Sequence, residues 1–147
     1  MKSECFSLKT KKTYGFLKNF SLCGLTGLLI EVTFTSLLSL RNRDFSLKAS
    51  TSPIMFPIYG CAAIILPISR LIKRASLFVR GIIYMLSIYT IEFISGTFLK
   101  KYKLCPWNYN KSRSNICSVI RLDYAPCWFI TGLFYEWLLK HRAASKK

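Results

Sequence analysis

Three carboxyls stand where the surrounding sequence carries almost no other charge. Glu31, Glu92 and Glu136 are half of the six acidic residues in this 147-residue chain, and each lies alone inside an apolar run. A carboxyl in such a setting can take up and release a proton, pair with a cation, or donate a hydrogen bond across helices when protonated. Left unpaired at the centre of a bilayer it costs roughly 2.5–3.5 kcal/mol. It must therefore be protonated, paired or wet.

Spacing indicates how the acids are presented. Gly27 and Glu31, Glu92 and Gly96, and Gly132 and Glu136 are each four residues apart, so every carboxyl shares a helix face with a glycine. Gly24, Gly27, Glu31 and Thr35 form one stripe of small and polar residues. Small residues let helix backbones approach closely in lipid, so these faces are expected to turn toward a bundle interior and take the acids with them. Tyr89, three residues before Glu92, is a candidate partner for it.

The elements that must position these groups are four apolar segments, at 19–40, 53–69, 81–99 and 124–139. At 1.5 Å per residue the first is long enough for a bilayer core of about 30 Å, whereas the fourth, at about 16 residues, needs local thinning or a partly buried end. Pro53 and Pro57 fall near the start of the second segment and Pro126 in the first turn of the fourth, where proline is tolerated; Pro67 is expected to kink or stop the second. The fold class expected is all-α and polytopic: a four-helix transmembrane bundle with an irregular loop between the third and fourth spans. A soluble all-α domain is the competing reading. It would have to bury three nearly uncharged runs on all sides in a small chain that is 52% hydrophobic.

Charge organises the rest. The net +16 is segregated from the apolar runs instead of interleaved with aromatic residues, which argues for membrane flanks and against nucleic acid. The expected organisation is a basic tail at 1–18, a single four-span domain at 19–139 and a basic tail at 140–147, both tails poorly ordered. The N-terminal tail, the loop between the second and third segments and the C-terminal tail hold thirteen Lys and Arg, against nine in the other two loops. The positive-inside rule then favours an integral, multi-pass protein with both termini cytoplasmic, with an inverted or dual topology as the alternative. The first segment is too long for a signal-peptide core and lacks a small-x-small cleavage site, so it is expected to remain in the mature protein. With the first and third spans running outward, Glu31 and Glu92 lie about 18 and 17 Å from their cytoplasmic ends. They form the expected central pair, and Glu136, four residues before Lys140, lies near the cytoplasmic face. A bland structural role, hydrogen bonding between helices, competes with a proton or cation site.

The loop after the third segment contains Cys105-Pro-Trp-Asn-Tyr-Asn110. Trp107 and Tyr109 suit an interfacial aromatic belt, and Pro106 and Asn108 supply turn chemistry, so the loop reads as a capped re-entrant segment or as a lid over the carboxyls. Cys105 and Cys117 could bridge there on an oxidising side. Six cysteines without a C-x-x-C pair and a lone His141 give no expected metal site, and no catalytic residue or cofactor motif appears. Any ATPase would be a separate subunit.

GLLIEVTFTSLLS in the first segment, MFPIYG at 55–60, YTIEFISG at 89–96, CPWNYN, and LDYAPCWFITGLFYE at 122–136 together resemble the transmembrane protein 229 family and the related bacterial ABC-transporter permeases of the type IV (CmpB-like) family. The resemblance covers about residues 24–139. Where that family usually reads Trp-Asp-Tyr this chain has Asn108, so no charge is expected at that turn; the Arg-Gly pair many bacterial members carry before the second span is replaced by Ala49-Ser-Thr-Ser-Pro53. The resemblance implies a multi-pass membrane protein with no settled biochemical activity; together with the absence of catalytic motifs, the expectation is a non-enzymatic, permease-like component in a lipid bilayer, with a separate ATPase subunit or a second copy as partner. A non-transporting scaffold or regulator is the alternative.

Overall fold

A computed structural model describes the backbone of residues 2–41, 51–110, 112 and 114–145, and the side chains of these except 2–12 and 38. Arg43, Lys48, Lys111, Arg113, Lys146 and Lys147, counted above for topology, lie outside the described residues. The chain is mostly helical and divides into two units, Met1–Ala63 and Ile64–Lys147.

The first unit is built from α1 (Lys2–Arg41), α2 (Met55–Gly60) and most of a 3-10 turn at Cys61–Ile64. The basic N-terminal tail is therefore helical, continuous with the first apolar segment; proline-free sequence lets one helix run through, and Arg41 in the last turn suits the negative end of its dipole. α2 packs along α1. A Cβ on Gly24 would meet the Phe56 ring at 2.8 Å, and one on Gly27 would collide with Tyr59, so the small-residue stripe is where α2 lies against α1.

The second unit holds α3 (Ile65–Leu71), α4 (Leu77–Lys101), a two-stranded hairpin of β1 (Asn115–Ile116) and β2 (Ile120–Arg121), a 3-10 turn at Leu122–Tyr124, and α5 (Ala125–Ala144). The Ser76 side chain caps α4 by accepting from Val79 N at 3.4 Å. Pro126 falls in the first turn of α5, as its missing N–H requires. The segment expected as one span at 53–69 is α2, a 3-10 turn and α3 in sequence. Tightening at Cys61–Ile64 resets the helix, so Pro67 sits in the first turn of α3 and neither kinks nor ends it. α5 packs against both α3 and α4.

Two helical segments, Thr13–Arg41 and Leu77–Lys101, are long and apolar enough to cross a membrane. Several of their serine and threonine hydroxyls are satisfied locally. Thr33, Ser36, Ser87, Thr90 and Ser95 each donate to the carbonyl four residues back at 2.7–2.8 Å, which lets them occupy an apolar helix without an outside partner.

The hairpin departs from the all-α expectation for the loop between the third and fourth segments. Asn115 pairs with Arg121 and Ile116 with Ile120, and Cys117 and Ser118 take φ of 51° and 57° while Val119 N donates to Ile116 O at 3.0 Å. This is the geometry of a type I′ turn, which favours Asn-Gly. Asn115 Oδ1 accepts from Ser118 N at 3.0 Å, and Lys100 Nζ donates to Cys117 O at 2.8 Å, holding the strained pair by its backbone. Replacing Cys117-Ser118 with Asn-Gly keeps those backbone partners and should stabilise the chain by about 1 kcal/mol. An unchanged or lower thermal midpoint would contradict it.

Candidate functional site

α4 and α5 run antiparallel: a Cβ on Gly81 would strike Phe129, one on Gly132 would lie 2.5 Å from Tyr84 Cβ, and Arg80 reaches Glu136. The contact at Gly132 lets the backbones close and brings the fully buried Tyr84 ring between them. One turn further along α5 lies Glu136. Its Oε2 accepts from Arg80 Nη2 at 2.6 Å and Nε at 3.2 Å, and its Oε1 accepts from Lys140 Nζ at 2.5 Å. The Glu136 side chain is 3% exposed, Arg80 21% and Lys140 46%. A buried anion thus faces two half-solvated cations. The Tyr84 hydroxyl is drawn toward both Arg80 and Glu136 but is not aligned for a bond to either.

Glu92 occupies a different cluster, twelve residues along α4 from Arg80 and so about 18 Å away on the helix axis. It is 8% exposed. The indole N–H of Trp128, from the first turn of α5, and the phenol of Tyr109, from the loop, face its carboxyl. Even so, Glu92 Oε2 and Trp128 Nε1 are both buried without a well-formed hydrogen bond. An acceptor and a donor that face one another off the bonding line leave capacity for a proton, a water or a polar group. Tyr89 does not supply it: its hydroxyl donates to the carbonyls of Arg121 and Leu122 at 3.2 and 3.3 Å, because the length of the ring carries it past the adjoining helical turn to the start of the 3-10 segment.

The aromatic loop is fastened to α4 at Gly96. A Cβ there would clash with Val119 and approach the Trp107 ring at 3.0 Å, and Trp107 Nε1 donates to Val119 O at 3.0 Å. Tyr109 N donates to Ser118 O at 3.1 Å and its ring meets Tyr124 edge-on, which fixes the phenol that faces Glu92. Asn108 Oδ1 accepts from Asn110 N at 3.1 Å, a local turn contact needing no charge. Cys105 and Cys117 are separate thiols. Outside the helices, the Arg121 guanidinium, 3.2 Å from Asp123, holds the Asp123 carboxyl below the usual carboxylate range, with Ser114 adding to the effect.

In the first unit, the Thr51 hydroxyl donates to Glu31 Oε2 at 2.7 Å, and Thr35 Oγ1 donates back to Glu31 O at 2.9 Å. Glu31 is thus partnered within its own unit, and Glu92 and Glu136 lie in the second in separate clusters. Arg80, Tyr84, Trp128 and Thr51 were not singled out from sequence. Arg80 and Tyr84 carried a signal: a cation and a phenol four apart open an apolar helix that has no acid in its first turn, so their partner had to come from another element.

Large apolar side chains outside, the buried carboxyls of Glu92 and Glu136, and two helices of membrane-crossing length point to a membrane protein. The chain belongs to the family described as Putative ABC-transporter type IV, whose model matches residues 18–146. No solved structure matches it.

Proposed function

We propose that the chain is a multi-pass integral membrane protein, a four-span bundle with both termini cytoplasmic, acting as the permease-like component of an ABC transporter whose ATPase is a separate subunit. The observation that carries this reading is Glu92: a buried carboxyl with an unbonded oxygen on a helix whose outer face is apolar, Ile94 being 64% exposed. Soluble domains put their carboxyls outside and their large aliphatic side chains inside; on α4 and α5 Glu92 and Glu136 are buried while Leu86, Ile94 and Ile130 are exposed. In this reading Glu92 exchanges a proton or cation, Trp128 and Tyr109 orient it, and the loop from Trp107 to Tyr109 covers it. Glu31, half-buried and reached by the Thr51 hydroxyl, is a second candidate, in the first unit. Glu136 has both oxygens taken by cations and serves to lock α4 to α5. That saturated pair also favours the second reading, a non-transporting scaffold or regulator.

The test is proton flux into proteoliposomes carrying a pH-sensitive dye. Wild-type vesicles are expected to acidify faster than empty ones, Glu92→Gln to fall to the empty-vesicle rate with its thermal midpoint retained, and Thr90→Ala on the exposed face to match wild type. Wild-type vesicles no faster than empty ones would leave the scaffold; unchanged flux in Glu92→Gln would remove Glu92 from the path.

A further inference from the structure

The end of the second unit at which α3 finishes, α4 begins and α5 closes is strongly basic. The short turn from α3 to α4 carries Lys73 and Arg74 just after Arg70, and the antiparallel packing brings Arg80 beside Lys140, with Arg142 further along α5. Among the described residues these six cations share that end with one carboxylate, Glu136, itself already held by two of them. Arg70, Lys73 and Arg74 are exposed, and α4 opens with no acidic residue in its first turn, so the positive end of its dipole adds to the field.

The same end is not merely charged. Leu71 is 89% exposed, and Leu77 and Phe78 are exposed beside the basic turn. On α5, exposed Trp137 stacks on Phe134 at 6.0 Å and lies 4.9 Å from the His141 ring, one turn from Lys140. Exposed indole next to cations is the signature of headgroup depth. A free anion would satisfy the cations and leave this apolar surface bare.

We propose that this end binds the headgroup phosphate of an anionic phospholipid, its acyl chains lying along Leu71, Leu77 and Phe78 and its phosphate held by Lys73 and Arg74 with Arg80 and Lys140 behind them. Glu136 fixes the Arg80 guanidinium in place and is neutralised in doing so, which leaves the cluster net positive. The inference rests on the membrane reading and not on transport.

The experiment reconstitutes the full chain in nanodiscs of phosphatidylcholine with and without phosphatidylglycerol, and counts lipid retained by native mass spectrometry. Phosphatidylglycerol should be retained preferentially and raise the thermal midpoint. The double variant Lys73→Gln/Arg74→Gln, on exposed positions, should lose about fivefold in preference per cation removed. Lys101→Gln/Lys103→Gln, at the other end of α4, should leave the preference intact. Equal retention of the two lipids, or an equal loss from the Lys101/Lys103 variant, would overturn the site. Complete displacement of phosphatidylglycerol by inorganic phosphate would overturn the lipid assignment in favour of a free anion. Failure to enter either disc overturns the membrane reading itself, whereas insertion without lipid preference overturns this inference alone.

Discussion

A Glu136→Ala variant is expected to lose roughly 3 kcal/mol of stability, the low end of the range for breaking a buried ion pair, because Arg80 and Lys140 retain part of their solvent. The cost arises less from the attraction lost than from what is left behind. Arg80 placed two donors on Glu136 Oε2, and without it the guanidinium stands between two apolar helices beside a Tyr84 hydroxyl that is itself unbonded. Glu136→Gln should recover part of the loss by keeping one acceptor. The sharper measurement is a double-mutant cycle with Arg80→Met, followed by denaturant unfolding in micelles. With Arg80 already replaced by an apolar side chain, removing Glu136 should cost at least 1 kcal/mol less than it does in the wild type. Equal losses in the two backgrounds would mean that the pair contributes nothing and that Glu136 acts through Lys140 alone.

The same cluster shows what the sequence discloses and what it withholds. The 81–99 and 124–139 segments were legible because long apolar runs broken by a single acid each specify a helix by length alone: α4 contains the first with a turn added at its start, and α5 covers all of the second but Tyr124 and runs on to Ala144. The Glu136–Lys140 contact was legible because i,i+4 partners meet on any helix. Arg80 was not, since its pairing depends on which residue of α5 lies opposite, and that register is set by the close approaches at Gly81 and Gly132. The break between α2 and α3 was hidden for a related reason: Pro67 announces that something must give, but not that the chain tightens into a 3-10 turn one residue upstream of the helix that accommodates it. Tyr89 misleads in the opposite sense. Its spacing to Glu92 is right for a contact, yet the hydroxyl lies at the far end of a ring, where loop carbonyls compete for it successfully. Trp128 could not be assigned to Glu92 from spacing at all, because the two are brought together by helices separated by the hairpin loop. The hairpin's own sequence, Cys117-Ser118 in place of Asn-Gly, gives no turn signal strong enough to read.

Glycine substitutions should separate helix propensity from helix approach, with opposite signs at two positions. Gly15 lies in α1 with nothing within 4 Å of where its Cβ would stand, so Gly15→Ala is expected to stabilise by about 0.5–1 kcal/mol through reduced backbone entropy. Gly132 gains the same intrinsic term, but its Cβ would lie 2.5 Å from Tyr84 Cβ and 3.6 Å from the Tyr84 backbone carbon. Neither of those atoms is the free end of a flexible side chain, so α4 and α5 must separate. Overpacking of this kind costs about 1–3 kcal/mol, and Gly132→Leu should exceed Gly132→Ala. In a bilayer the effect is not cushioned, because helices there associate through close packing and have no hydrophobic term to fall back on. Separation also draws Arg80 away from Glu136, so Gly132→Ala should abolish most of the coupling measured in the cycle above. Gly81→Ala meets only the edge of the Phe129 ring, which can swing aside, and should fall between the two. Thermal unfolding of the three alanine variants in one detergent gives the order directly. A Gly132→Ala midpoint at or above wild type would show that the two helices are not held by the contact at Tyr84.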